Sequence, residues 1–224
     1  MNIPTAIPSS SFIRRLAHPR QDVKPLVAPD YTELDDRKLA ALAAGGREAA
    51  FRELLARYER PVFSLVYRMV RNRTLAEDLA QEAFIRAFNA ISSYKPSYKF
   101  SNWILKIANN HTIDYLRKRK LDTISIDGAP NATSNEEVGR TRLSLESGDE
   151  SPQEYVENRE LGGQIESAIG TLREEYRTAV LLRHVEGYAY EEIAEIMDVP
   201  LGTVKTYLHR ARGELKQRLA HLAS

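Results

Sequence analysis

Lys205, Thr206, His209 and Arg210 lie within six residues of one another, with Thr203 just ahead and Arg212 just behind. Ammonium, guanidinium, hydroxyl and imidazole groups at this density offer donors to phosphate oxygens and to base edges. They do not form a catalytic set. The five histidines (His18, His111, His184, His209, His221) show no HExxH spacing. The chain has no cysteine, which excludes disulfides, thiolate zinc sites and cysteine nucleophiles. No G-x-S-x-G, Walker loop or GxGxxG ahead of a helix occurs. The pairs Glu174-Glu175 and Glu191-Glu192 read as solvated helix faces rather than acid/base dyads. No catalytic residue, metal or cofactor is expected.

The elements that must position these donors are legible around them. In Tyr190-Glu-Glu-Ile-Ala-Glu-Ile-Met-Asp-Val-Pro-Leu-Gly-Thr-Val-Lys-Thr-Tyr-Leu-His209, the residues Ile193, Ala194 and Met197 line one face of a short helix. Asp198-Val199 makes the turn, since aspartate tolerates the left-handed conformation. Pro200 suits the first turn of a second helix, where its missing N–H costs nothing. Val204, Leu208, Ala211 and Leu215 bury that helix against the first. This is a helix-turn-helix, whose second helix is built to enter a major groove. A helical hairpin with a merely basic outer face is the competing reading. A helix-turn-helix alone also suits response regulators, repressors and transposases.

The rest of the chain is helical in pattern. Leu39, Leu42 and Ala43 precede a stop at Gly45-Gly46, and Ala50, Phe51, Leu54, Leu55 and Tyr58 follow at helical spacing. Pro61 is expected to kink or restart that helix, with Val62, Leu65, Val66 and Met69 continuing the stripe. Thr74 and Glu77 form a capping box for a helix along Leu79, Ala83, Phe84 and Phe88. Ser92 to Lys99 is a turn-rich loop, followed by a long helix through Trp103, Ile104, Ile107, Ala108, Ile113 and Leu116 that ends in Arg117-Lys-Arg-Lys120. No strand-period alternation persists. The fold class expected is all-α, with two small helical domains over 31–121 and 153–222, a flexible acidic linker over 122–152 and a disordered, proline-rich tail over 1–30.

Composition bounds the class of protein. With 224 residues, 42% hydrophobic and 28% charged, the chain is of ordinary soluble type with one or two domains. No apolar run approaches the ~18 residues needed to span a bilayer, and the N-terminus lacks a basic segment ahead of an apolar core. A cytoplasmic protein without membrane insertion is expected. The net charge of +1 hides segregation: Trp103–Lys120 and Pro200–Arg218 each carry five basic residues against one acid, while 122–158 carries nine acids against two arginines. That acidic stretch suits either a solubilising tether or a segment threading a basic channel.

Leu75-Ala-Glu-Asp-Leu-Ala-Gln-Glu-Ala-Phe-Ile-Arg-Ala-Phe88 resembles the polymerase-binding segment of bacterial sigma factors. Phe100-Ser-Asn-Trp-Ile-Leu-Lys-Ile-Ala-Asn-Asn110 with Asp114-Tyr-Leu-Arg-Lys-Arg119 resembles their promoter-melting helix, and Thr171–Arg183 with the helix-turn-helix resembles sigma region 4. The resemblance runs from about Leu34 to Leu219 in the family's order, without counterparts of regions 1.1 and 3. That two-domain economy is similar to the extracytoplasmic-function (group 4) subfamily of the sigma-70 family.

The resemblance implies a protein that joins core RNA polymerase, reads the −35 and −10 promoter elements and assists melting. It assigns Asp78, Gln81, Glu82, Ile85 and Arg86 to the clamp helices of the largest polymerase subunit, with region 4 facing the flap of the second subunit. Three-to-four-residue spacing puts those five on one helix face, which without the resemblance is simply a solvated side. For single-stranded DNA at the −10 element, phosphate contacts fall to Lys95, Lys106 and Arg117, base contacts to Tyr94 and Tyr98 in the loop, and a polar position to Asn110. Trp103 and Ile107 are read as core. Arg183, Thr203, Lys205, Thr206, His209 and Arg210 are assigned to −35 duplex DNA, with Tyr207 standing where an arginine is common in the family. A monomer controlled by an anti-sigma factor is the expected state. The alternative is a stand-alone dimeric helix-turn-helix regulator.

Overall fold

The computed structural model describes residues 30–127 and 152–220, with side chains over 30–121 and 160–220. Nearly all of the expected tail and most of the expected linker lie outside the described residues. Among the described residues there are eight α-helices and no strand: α1 Asp36–Ala44, α2 Glu48–Val70, α3 Arg73–Ala90, α4 Phe100–Asp127, α5 Pro152–Gly170, α6 Glu174–Val180, α7 Tyr190–Met197 and α8 Leu201–Arg218. The fold is all-α. A 3₁₀ turn, Ile91–Ser93, follows α3, and a π-helical turn, Leu181–Val185, continues α6.

Local chemistry sets most of the boundaries. Asp35 caps α1 by accepting the Lys38 N–H at 2.9 Å, and Gly46 leaves the helix at φ +85°. Arg57 then ties α2 to α1, donating to Asp36 and Glu53 at 2.9 Å each and to the carbonyl of Thr32 at 2.8 Å. Tyr58 donates to the second oxygen of Asp36.

Three expectations are refined. Pro61 does not restart the helix as a second element: α2 is assigned continuously through it. The missing N–H costs a single ladder bond, and fully buried Val62, Leu65 and Val66 hold the segment through packing. The cap of α3 is Asn72, whose Oδ1 accepts the Leu75 N–H at 2.9 Å, so Thr74 lies inside the helix and Glu77 pairs with Arg73 instead. And α4 passes the basic run to reach Asp127, because no glycine or proline intervenes before Gly128.

Helices α1–α4 form one group, with α2 packed on α1, α3 and α4; helices α5–α8 form the other, with α8 packed on α6 and α7. A single apolar core runs through both. Helix α7 lies along α4, and α6 meets α2.

Candidate nucleic-acid interface

The helix-turn-helix assembles as its residue types dictate. Ile193, Ile196, Val204, Leu208 and Ala211 are all buried between α7 and α8. The turn depends on Asp198, which sits in the left-handed region at φ 57°, ψ 45°. Pro200 precedes α8 in extended conformation and caps it rather than entering its first turn. Glu192 reaches back to accept the Ala189 N–H at 2.9 Å, satisfying one of the orphan donors of α7.

This leaves Lys205, Thr206, His209 and Arg210 exposed together on the outer face of α8, with Thr203 half-buried at its edge. Arg210 is held by Tyr176 Oη at 3.3 Å, and Thr206 Oγ1 donates to the Gly202 carbonyl at 2.9 Å. Arg183, on the π-helical turn, donates to the Tyr188 carbonyl at 3.0 Å and stacks 5.1 Å over the Tyr190 ring. Tyr207 is half-buried with its ring 5.5 Å from Tyr176, so it packs inward as well as facing α8's neighbours.

At the other face, the loop before α4 separates two tyrosines that the sequence treats alike. Tyr98 is 49% exposed beside exposed Lys95. Tyr94 is only 9% exposed. Its ring lies against Phe100 and Trp103 at 5.4 and 5.5 Å, and its hydroxyl donates to the Tyr98 carbonyl at 2.8 Å. The expectation of base contact by Tyr94 is therefore corrected: this side chain shapes the loop that presents Tyr98. Trp103 is half-buried in the same aromatic cluster, as core.

Asp78, Gln81, Glu82, Ile85 and Arg86 are all exposed, sharing one side of α3. Behind them Ala76, Leu79, Ala80, Ala83, Phe84 and Ala87 face the core. Glu82 also neighbours α4. His111 Nε2 approaches Glu82 Oε2 to 2.8 Å, off the line a hydrogen bond requires, so this buried nitrogen has no hydrogen-bond partner. Burial and the nearby Arg86 hold the imidazole below its ordinary range, outweighing Glu82.

Several basic residues in and just ahead of α4 are paired with acids rather than free. Lys99 Nζ lies 2.6 Å from Glu192 Oε1, Asn102 donates to Glu195 at 2.7 Å, Lys106 lies 2.8 Å from Asp198, and Arg117 lies 2.9 Å from Glu175. Lys99 and the Ala189 N–H hold the Glu192 carboxyl below the usual range, and Lys99 is raised in turn. For Glu175, burial pushes upward, but its own backbone N–H and Arg117 outweigh it. These four acceptors were missed in the sequence, where the glutamate pairs look like solvated faces. The available signal was the spacing Glu192, Glu195, Asp198, a three-residue stripe along one side of α7.

Two family matches fall on these two helical groups. Residues 54–121 match Sigma-70 region 2, and residues 162–215 match Sigma-70, region 4. The chain is 39% identical over 180 residues to the ECF RNA polymerase sigma factor SigW of Bacillus subtilis, covering 79% of this chain and 92% of that protein. The chain belongs to the extracytoplasmic-function sigma factors. It is also 33% identical over 190 residues to the ECF RNA polymerase sigma-E factor of Escherichia coli K12, covering 85% and 97% of the two chains. Two solved structures share the fold: CnrH in complex with the cytosolic domain of CnrY (TM-score 0.58, 23% identity, 83% of this chain and 97% of that one) and RpoE in complex with the anti-sigma factor NepR from Bartonella quintana (TM-score 0.57, 22% identity, 76% and 96%).

As a sigma factor, the chain binds RNA polymerase and directs promoter-specific transcription initiation. The region 2 match contains most of α2, all of α3, the tyrosine loop and α4 as far as Leu121; the region 4 match contains the helix-turn-helix. A dimeric regulator is not favoured by these matches. No described helix of this sigma factor is long and apolar enough to cross a membrane.

Proposed function

We propose that this sigma factor reads its promoter with α8 at the −35 element and with α4 and the Tyr98 loop at the −10 element, while α3 docks on core polymerase. In the −35 major groove, Lys205, Thr206, His209 and Arg210 supply base-edge and phosphate contacts, with Arg183 reaching the backbone from the preceding turn and Thr203 at the helix start. At the −10 element, Tyr98 stacks an unpaired base, Lys95, Lys106 and Arg117 hold phosphates, and Asn110 offers amide hydrogen bonds. Asp78, Gln81, Glu82, Ile85 and Arg86 grip the clamp helices of the largest subunit, and region 4 meets the flap of the second. Nucleotidyl transfer belongs to the polymerase, so no catalytic residue is assigned.

The observation that carries this reading is the pairing, in one chain, of an exposed donor cluster on α8 with a separate exposed mixed face on α3. One surface suits a polyanion; the other, an acid, amide, arginine and apolar mixture, suits an electrostatically complementary protein. The domain limits proposed are 31–121 and 153–222 around the linker. The chain acts in the cytoplasm as a monomer, under an anti-sigma partner of the kind bound by the RpoE of Bartonella quintana. Reconstituted holoenzyme on a promoter library tests the reading. Run-off transcripts from a shared pair of elements are expected. Their absence, with no association between chain and core enzyme, overturns it.

A further inference from the structure

Two tyrosines of region 4 make the same pair of contacts. Tyr176, on α6 and only 5% exposed, accepts from Arg210 Nη1 at 3.3 Å on its hydroxyl, and the Arg173 guanidinium lies 5.4 Å over its ring. Tyr190, half-buried at the start of α7, accepts from Arg212 Nη2 at 3.2 Å, and Arg183 lies 5.1 Å over its ring. Each ring therefore takes one guanidinium on its face and one at its oxygen. At about 100° per residue, Thr206 and His209 mark the middle of the outer face of α8, opposite buried Val204, Leu208 and Ala211. Arg210 and Arg212 fall on the two edges of that face, roughly 160° apart across it. One edge is braced from α6 and the other from α7.

We propose that Tyr176 and Tyr190 are positioning residues for promoter binding: they brace Arg210 and Arg212 at opposite edges of α8, so that each arginine meets a phosphate on one of the two strands walling the −35 major groove. The inference rests on the assignment of α8 to the −35 element, and it adds Arg212 to the groups that touch DNA. The major groove is about 12 Å wide, close to the width of a helix with its side chains. Groups at the helix edges then face the sugar–phosphate walls, while Thr206 and His209 face the base edges.

The bracing leaves the charge available. Arg183, Arg210 and Arg212 donate to a carbonyl and two phenol oxygens and, among the described residues, to no carboxylate. Neutral acceptors fix these groups without cancelling them. A guanidinium has five N–H donors, so the one given to a phenol leaves four for a phosphate. A loose arginine must lose its rotamer freedom when it binds; one already held has lost much of it beforehand. Tyr207, its ring 5.5 Å from Tyr176, supports the first brace from α8 itself, a role for this uncharged side chain beside the recognition face.

Tyr176→Phe and Tyr190→Phe keep both rings and remove only the hydroxyls. Holoenzyme carrying each change is titrated, over a range of salt, against a promoter duplex recovered in the run-off screen and against single-base variants of its −35 element. Arg210→Ala, Arg212→Ala and all tyrosine–arginine double variants are run beside them. Each tyrosine change is expected to weaken binding about threefold to tenfold on every duplex alike, with the melting temperature of the free chain within a few degrees of wild type. Each arginine change is expected to lower the slope of log affinity against log salt by about 0.9, as loss of one phosphate contact requires. Tyr176→Phe should add nothing to Arg210→Ala, nor Tyr190→Phe to Arg212→Ala, while the crossed combinations multiply. Wild-type affinity in both phenylalanine variants, their full effect in the matching arginine-free background, an altered base preference, or a melting temperature lowered enough to account for the weakening overturns the bracing. Holoenzyme that selects no shared −35 element removes the promoter reading itself, and the bracing with it.

Discussion

The guanidinium of Arg177, on α6, donates to the backbone carbonyl of Met69, in the last turn of α2, at 2.5 Å. The same side chain donates to the carbonyls of Gly170 and Leu172, at 2.5 and 3.0 Å. It is a half-buried cation whose terminal nitrogens donate to backbone oxygens rather than to a carboxylate, while its Nε has no hydrogen-bond partner, and burial lowers its pKa. Arg177→Ala strands those carbonyls and is expected to cost about 3 kcal/mol, a typical figure for charged hydrogen bonds left unmade. Urea unfolding of the full chain measures it, and an unchanged midpoint contradicts the role.

Gln81→Ala combined with Glu82→Ala should lower affinity for core polymerase by about tenfold or more while leaving the melting temperature within a few degrees. Both side chains are exposed, so the fold has little to lose. Native gel shift of core enzyme, read beside thermal unfolding, separates the two effects. Loss of structure would mean that this face of α3 is packed rather than presented.

Lys205→Ala or Arg210→Ala should each reduce discrimination between the cognate −35 sequence and a single-base variant by about 1–3 kcal/mol if the side chain reads a base edge. A phosphate contact instead weakens all sequences equally and flattens the salt dependence. Arg210→Ala additionally frees the Tyr176 hydroxyl.

Tyr98→Ala and Tyr94→Phe should behave differently despite their four-residue separation. The first removes an exposed ring and is expected to lower open-complex formation by about 1–3 kcal/mol of stacking, with stability unchanged. The second removes one hydrogen bond inside the loop and should cost roughly 1 kcal/mol of stability. Permanganate footprinting and thermal melting read the two outcomes.

Acid should destabilise region 2 through His111. Its imidazole is held low in the folded chain, so unfolding lets it take up a proton. The stability that it contributes is complete above the ordinary histidine value of about 6.5 and is lost as the pH falls below it, at up to about 1.4 kcal/mol per unit. Urea midpoints between about pH 7.5 and pH 5.5 should fall, and His111→Gln should flatten the slope. A wild-type profile as flat as the variant's would exclude the effect.

Much of the candidate site is written in local sequence, and its failures are physical. The helix-turn-helix is legible because its turn needs a residue that accepts φ 57° and its start tolerates a proline, which Asp198 and Pro200 announce. The exposed side of α3 follows from three- and four-residue spacing alone. The α3 cap was misassigned because Asn72 and Thr74 are both good caps two residues apart, and only the backbone geometry chooses between them. Tyr94 looked like Tyr98 because a lysine-flanked loop does not disclose that Phe100 and Trp103 wait to receive one ring. The acids facing α4 lie 58 to 93 residues away in sequence, beyond the reach of any helical period.

Helix α4 ends at Asp127 and α5 begins at Pro152, twenty-five Cα steps later. At ~3.3–3.6 Å per step, covalent geometry limits that span to roughly 85 Å. Duplex DNA rises about 3.4 Å per base pair, so the leash equals roughly 25 base pairs of promoter. Spacer length between the two elements is thus bounded from above by the polypeptide itself, and shortening this stretch of chain should prune the longest-spaced promoters first.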